Sequence, residues 1–204
     1  MITIVDYGLG NIEAIANIYR RLDIPVRRAR TAAQLADAQR IVLPGVGAFD
    51  WAMSRLDQSG MRATLDELVI GQSRPVLGIC VGMQMMARRS DEGRCSGLGW
   101  IDGEVRAFDE SSFTQRTHLP HMGWNHINAQ RSGGILAGLE QDARFYFLHS
   151  YCFEAHRDQD VLARTDYGGA FASAVQRDHV HGVQFHPEKS HQWGIQLLRN
   201  FAAV

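Results

Sequence analysis

Apolar positions along the chain alternate between two periods. Residues 2–5 form a short apolar run that predicts a buried strand, followed by the polar loop Asp6-Tyr7-Gly8-Leu9-Gly10. The period then becomes helical, with Ile12, Ile15, Tyr19 and Leu22 on one stripe and Asn11 as the expected N-cap. Ile24-Pro25 stops this helix and Val26 opens a second strand. Thr31 is expected to cap a small helix through Leu35, and Ile41-Val42-Leu43 reads as strand three. This βαβαβ rhythm predicts a parallel sheet with helices on both faces. Helical stretches around residues 51–56 and 61–69 lead to another buried strand at 76–79, after which Met83, Met86 and Ala87 recur at helical spacing.

Past Asp91-Glu92-Gly93 the rhythm changes. Residues 100–108, 124–128, 145–151, 161–165, 172–176 and 180–185 are strand-like without helices between them. They are expected to be antiparallel additions to the sheet and a small side sheet. Residues 109–119 and 154–160 carry no period and are expected to be loops. A last helix should start from a Ser190 cap and turn Gly194, Leu197, Leu198 and Phe201 inward. No repeat, low-complexity tract or linker divides residues 1–204, so one α/β domain with a mainly parallel central sheet is expected.

Charge and cysteine content narrow the classes. Twenty-one Lys and Arg against 22 Asp and Glu, interspersed, give a net charge of −1 and no case for nucleic-acid or membrane attraction. No apolar run approaches a membrane span, and the start of the chain lacks the basic flank and cleavage site of a signal peptide. Cys80, Cys95 and Cys152 form no C-x-x-C, so neither a disulfide framework nor a zinc ribbon is indicated. A reduced, cytoplasmic setting fits. Gly8-Leu9-Gly10 invites a dinucleotide reading, but Glu13 stands at the third glycine position, and the region of the acidic ribose partner is the basic Val26-Arg27-Arg28-Ala29-Arg30. His179, His181 and His186 are metal-ligand types, yet histidines at strand alternation are commonly structural, and no metal or cofactor is called for.

The candidate chemistry centres on Gly78-Ile79-Cys80-Val81-Gly82, between a strand and a helix. It is the thiol counterpart of the G-x-S-x-G nucleophile elbow. The flanking glycines allow close passage of neighbouring chain, the helix start favours thiolate, and the Val81 N–H is placed to hold an oxyanion. A buried cysteine at an ordinary strand end is the plain alternative. Pro44-Gly45-Val46-Gly47 ends a central strand where open α/β sheets bind ligands, although in isolation a plain strand-to-helix turn is the favoured reading there. Far down the chain, Val183 and Phe185 should face the core while Gln184, His186 and Glu188 share the other side if the extension persists past Pro187. Cys80, His186 and Glu188 then supply nucleophile, base and orienter.

These residues carry a resemblance. Gly78-Ile79-Cys80-Val81-Gly82-Met83-Gln84 with His186-Pro187-Glu188 resembles the class I (triad) glutamine amidotransferases. Asp6-Tyr7-Gly8-Leu9-Gly10-Asn11, Leu119-Pro120-His121-Met122-Gly123-Trp124-Asn125 and His186-Pro187-Glu188-Lys189-Ser190 are similar to the glutaminase subunits of imidazole glycerol phosphate synthases. The resemblance implies the amidotransferase fold and hydrolysis of L-glutamine to glutamate and ammonia through a Cys80 thioester. It implies that Gln84 and Glu92 hold the backbone end of glutamine, Glu92 suiting the ammonium, with Gly47 and Ser150 near the substrate. It also implies a (β/α)₈-barrel synthase partner in a heterodimer. That partner takes the ammonia and makes imidazole glycerol phosphate and AICAR in histidine biosynthesis.

Asn11, His121, Met122, Trp124 and Lys189 are the positions expected to face that partner, a core site for Trp124 being the alternative. Val81 and Val46 are the expected oxyanion donors, the second through a peptide rotation between Gly45 and Val46. On that view Gly45→Ala should alter activation by the partner more than it alters stability. A cysteine-triad amidase or peptidase of other substrate, or a glutaminase subunit of another amidotransferase, would use the same triad. The former leaves Gln84, Glu92 and residues 120–125 unexplained. A non-enzymatic interaction module predicts that Cys80 is no more reactive than Cys95 and Cys152.

Overall fold

The structure is a computed structural model that describes residues 1–113 and 118–204. Strand β1 (Ile2–Val5) is buried at all four positions, as a parallel strand covered on both faces must be. Helix α1 (Ile12–Arg21) buries Ile12, Ile15, Ala16 and Tyr19, the stripe expected from its period, with Leu22 at its C-cap. Then come β2 (Val26–Ala29), α2 (Ala32–Leu35) and β3 (Arg40–Gly45). The Thr31 side chain caps α2 by accepting from the Gln34 N–H. Helices α3 (Phe49–Gln58) and α4 (Arg62–Asp66) follow, α4 widening into a π turn over Glu67–Gly71. Strand β4 (Val76–Cys80) runs directly into α5 (Val81–Gln84), which is a single turn.

The second half is built of β5 (Gly103–Ala107), β6 (His121–His126), β7 (Asn128–Ala129), β8 (Arg144–His149), β9 (Tyr151–Ala155), β10 (Val161–Asp166), β11 (Ala170–Arg177) and β12 (Val180–Val183). Helix α6 (His191–Ala203) closes the chain. The main sheet runs β2-β1-β3-β4-β12-β11-β10-β7, with β9 pairing to both β11 and β5. Its pairings are parallel from β2 to β12 and antiparallel beyond. Strands β6 and β8 form a separate antiparallel pair. Helix α6 lies against α1 and the 187–189 turn. Burial of its Leu197, Leu198 and Phe201 stabilises the fold by about 5–9 kcal/mol.

Four expectations need correction. Residues 154–155 belong to β9 rather than to a loop, and 158–160 form a 3₁₀ turn, because the β9 ladder to β5 continues through Ala155. Residues 110–112 are also a 3₁₀ turn; the rest of the expected 109–119 loop includes 114–117, which lie outside the described residues. Strand β12 ends at Val183, and Pro187–Lys189 is a 3₁₀ turn rather than extended chain. The Asn11 and Ser190 side chains do not cap α1 and α6, although each stands at the N-cap position. A missing side-chain cap costs about 0.5–2 kcal/mol, and both side chains are drawn to other partners, described below.

Candidate active site

The carboxyl ends of β3, β4 and β12 meet at one place because the three strands are parallel neighbours. Cys80 is there, with φ 55° and ψ −114°, a strained conformation for a residue with a β-carbon. The surroundings impose it. A β-carbon on Gly82 would collide with the Leu43 carbonyl oxygen, and one on Gly78 would stand 2.7 Å from the Gly82 carbonyl oxygen. The chain therefore turns sharply and lifts the sulfur off the sheet. As the first residue of α5, Val81 has an N–H with no acceptor inside the helix. With one turn only, α5 brings little dipole, so the helix-start argument for thiolate is weak here.

His186 and Glu188 arrive from the end of β12. The 3₁₀ turn at Pro187 replaces the expected extension, yet the two side chains still meet: His186 Nδ1 donates to Glu188 Oε1 at 2.9 Å. Both are almost wholly buried, with 3% and 2% of their side-chain surface exposed. Asn11 Nδ2 donates to the same Oε1 at 2.7 Å, which is where its capping potential has gone. The Ser190 hydroxyl donates to the His186 carbonyl at 2.6 Å and accepts from the Tyr146 N–H at 3.0 Å. The His186 N–H in turn donates to the Tyr146 carbonyl, so β8 holds the base in place. Burial acts to depress His186, but its hydrogen bonds and charge interactions with Cys80 and Glu188 outweigh this and push it up to about 10. Burial acts to raise Glu188, but His186 and Asn11 hold its carboxyl below the usual range. The geometry favours an imidazolium flanked by a carboxylate and a thiol group.

A cavity of about 330 Å³ opens on this pair, within the roughly 300–1,000 Å³ common for small-molecule sites. Its wall brings together the sequence-predicted Cys80, His186, Val81, Val46, Gly47, Gln84, Glu92 and Ser150, and Asn11 and Lys189 reach its rim. Glu92 Oε2 accepts the Phe49 N–H at the start of α3, which fixes the carboxylate. Gln84 Nε2 donates to the Tyr151 carbonyl and to Gln184 Oε1, which fixes the Gln84 amide at the cavity wall. A larger cavity of about 450 Å³ beside Phe108, Phe113 and Phe171 contains Cys152 but no histidine among the described residues. Burial pushes the Cys152 thiol up to about 11, and burial with the neighbouring Asp50 raises Cys95, so neither is activated. His179 and His181 do not join His186: His179 Nε2 contacts the Val69 carbonyl and His181 is buried beside Phe201. Among the described residues no group of three His, Cys, Asp or Glu is placed to hold a metal.

Two expectations about the surroundings fail. His121 faces inward, 2% exposed, stacked on Phe147 and Tyr167, because β6 alternates and its odd-numbered start points to the core. It cannot present itself to a partner. Met122 and Trp124 do face outward, 63% and 40% exposed. Trp124 stacks on His191, and Lys189 Nζ sits 5.5 Å from the Tyr146 ring. Gly45 cannot take a methyl freely: its β-carbon would stand 2.5 Å from the Gly82 nitrogen. The expectation that Gly45→Ala alters activation by the partner more than it alters stability is therefore withdrawn, because the methyl disturbs the packing of the elbow directly.

The structure also adds residues. Gln184 is fully buried and donates from Nε2 to Cys80 Sγ at 3.8 Å. Its two-residue spacing from His186 was the available signal. His149 donates from Nδ1 to the Tyr151 carbonyl, so its Nε2 must accept from His121 Nδ1–H, at 3.0 Å. Burial depresses His149 to about 3 and His121 to about 4, consistent with a neutral pair in those tautomers. Nothing in the local sequence marks that pairing.

Comparison with known proteins gives the family and the fold. The family model for Glutamine amidotransferase class-I matches residues 3–204. A protein of Bdellovibrio bacteriovorus named Imidazole glycerol phosphate synthase subunit HisH is 57% identical over 204 residues, covering all of both chains. One of the same name from Leptospira interrogans is 48% identical over the full length of both. In fold, a crystal structure of a glutamine amidotransferase superposes with a TM-score of 0.74 at 18% identity, covering 100% of this chain and 99% of that one. A glutamine amidotransferase from Thermotoga maritima gives a TM-score of 0.63 at 17% identity, covering 92% of this chain and 75% of the other. An elbow cysteine facing a histidine–glutamate pair and full-length relatives of this identity lead to one conclusion: the chain belongs to the class-I glutamine amidotransferases, in the company of imidazole glycerol phosphate synthase HisH subunits.

Proposed function

We propose that the chain is the glutaminase subunit of an imidazole glycerol phosphate synthase, hydrolysing L-glutamine at Cys80 and handing the ammonia to a (β/α)₈-barrel synthase in a heterodimer. The observation that carries the reading is that Cys80 and His186 line one pocket with Gln84 and Glu92, while Glu188 backs His186 from behind through its Nδ1. The Cys80 sulfur attacks the side-chain amide carbon of glutamine, and the carbonyl electrons move to oxygen. The Val81 and Val46 N–H groups are the proposed donors to that oxyanion. His186 gives its proton to the departing nitrogen, which leaves as ammonia, and a thioester remains. A water, losing its proton to His186, attacks the thioester; the second oxyanion collapses to glutamate and frees the thiol. Glu188 keeps the imidazole oriented and balances its charge throughout.

Glu92 fits the substrate ammonium, and Gly47 and Ser150 line the same cavity. The exposed Met122 and Trp124 with Lys189 are the proposed docking face. A partner bound there suits the product, since ammonia released to water is protonated and lost as a nucleophile. Among the described residues no helix is long and apolar enough to cross a membrane. The test is Cys80→Ala in the assembled enzyme. Glutamine-dependent synthesis should vanish while synthesis from added ammonium salt continues. Full glutamine-dependent turnover in that variant would end this assignment.

A further inference from the structure

The loop between β1 and α1 touches both halves of the site. Tyr7 is buried, and its hydroxyl donates to the Pro44 carbonyl at 2.7 Å, with Met85 Sδ 3.5 Å away. Burial and the neighbouring Cys80 push the phenol up, so it stays protonated and acts as a donor. Pro44 immediately precedes Gly45 and Val46, so this bond pins the peptide next to the one assigned the second oxyanion donor. Gly10, with φ +99°, lets the loop lie on Pro44: a β-carbon there would be 2.7 Å from Pro44 Cβ.

At its far end the same loop supplies Asn11, whose Nδ2 meets Glu188 Oε1 177 residues away in sequence. Oε1 is also the atom that accepts from His186, while among the described residues no hydrogen bond is made to the buried Oε2. The two side-chain hydrogen bonds to the carboxylate thus meet on one oxygen. Without Asn11 the carboxylate loses one of these two side-chain bonds and is less firmly held against turning about its terminal bond.

We propose that Tyr7 and Asn11 are positioning residues for the glutaminase reaction: Tyr7 sets the oxyanion side of the site and Asn11 sets the triad carboxylate. This rests on the function proposed above, and it assigns Asn11 inward rather than to the partner. The two roles separate under an alkylating probe. With iodoacetamide the Cys80 thiolate forms a C–S bond and iodide leaves with the bonding pair; no oxyanion develops. The reaction therefore reads the Cys80–His186–Glu188 group and is blind to oxyanion donors. Glu188, His149, Tyr151, Lys189, Glu92 and Tyr7 are the titratable groups that face or line the surroundings of this pair, and all but Tyr7 are retained in both variants.

The experiment combines two measurements on Asn11→Ala and Tyr7→Phe. One is steady-state glutaminase in the complex with the synthase. The other is Cys80 alkylation against pH, read at that residue by mass spectrometry. Asn11→Ala should lower kcat by about 10–100-fold, as loss of a supporting partner behind a reacting side chain does elsewhere, with KM within about two-fold. Its alkylation profile should move to higher pH, because the imidazolium is less well supported. Tyr7→Phe should lower kcat roughly 10-fold, less than the ~10²–10³ of losing an oxyanion donor outright, with the alkylation profile unchanged. Wild-type kcat and profile in Asn11→Ala overturn the Asn11 role. Wild-type kcat in Tyr7→Phe, or alkylation slowed as much as turnover, overturns the Tyr7 role. A wild-type complex that fails to turn over glutamine would instead defeat the proposed function, while the alkylation profiles still decide whether Asn11 positions Glu188.

Discussion

Replacing Gly45 by alanine tests how the end of β3 braces the nucleophile elbow. The added methyl would stand 2.5 Å from the Gly82 nitrogen and 3.0 Å from both the Val81 carbonyl carbon and its Cβ. None of these atoms is the tip of a flexible side chain, so the two segments must part. Restoring an ordinary contact of 3.4 Å needs a shift of about 0.9 Å from 2.5 Å. Overpacking of this kind costs about 1–3 kcal/mol. Loss of chain entropy in the unfolded state returns about 0.4–1 kcal/mol of that. From the midpoints of these ranges the net destabilisation is about 1.3 kcal/mol, and for a chain of this length Tm should fall by roughly 3–5 °C. The same shift moves the Val81 N–H and Cys80, so kcat should fall as well, by up to the ~10²–10³ of a lost oxyanion donor. Thermal unfolding followed by circular dichroism, with ammonia release in the complex, measures both. Gly47→Ala is the control: its φ of +87° makes a side chain strained, but the nearest atom is 4.0 Å away, so the elbow stays in place. A Tm for Gly45→Ala within 1 °C of wild type, on the order of the measurement error, would refute the packing argument.

Three other outcomes are expected. Glu188→Gln removes the negative charge beside His186 and offers an amide that can present the wrong group to Nδ1. Its kcat should drop by up to about 10⁴ yet stay above that of Cys80→Ala, and an undiminished kcat would remove Glu188 from the triad. Trp124→Ala and Lys189→Ala change exposed groups, so the isolated chain should keep its Tm while affinity for the synthase falls, by roughly 30-fold if either is a hot spot worth about 2 kcal/mol. Unchanged affinity and coupling in both would place the interface elsewhere. Finally, His121, His149 and His181 are depressed by burial to about 4, 3 and 4. Below their ordinary value near 6.5 the unfolded chain binds protons that the folded chain does not, so stability is lost as pH falls from about 6.5 toward 4. Three such groups give a slope of up to about 4 kcal/mol per pH unit. Urea midpoints between pH 7 and 5 test this, and His181→Gln should flatten the slope by about a third.

Local pattern was enough for the parts of this protein whose causes are local. The β1, α1 and β3 periods appear as drawn, since a buried face repeats every two or every 3.6 residues wherever the core lies. The elbow at Cys80 was legible because glycines at 78 and 82 are a steric requirement of the turn itself. The His186–Glu188 pair was also legible from its spacing, although a 3₁₀ turn rather than a strand delivers it.

Other features were decided only in three dimensions. Asn11 and Ser190 have the chemistry of N-caps, but a cap contributes about 1 kcal/mol. A hydrogen bond to a buried carboxylate contributes about 1.5–3, so Asn11 turns to Glu188 and away from α1. Alternation along β6 separates His121 from Met122, yet it does not say which of the two faces the core. The pairing of His121 with His149 on β8 settles that. Gly45 looked like a free hinge because its constraint comes from Gly82, on the neighbouring strand's turn. Each of these depends on a partner distant along the chain, and a preference carried by one residue yields whenever a buried charge, a buried imidazole or a backbone contact offers a larger free-energy difference.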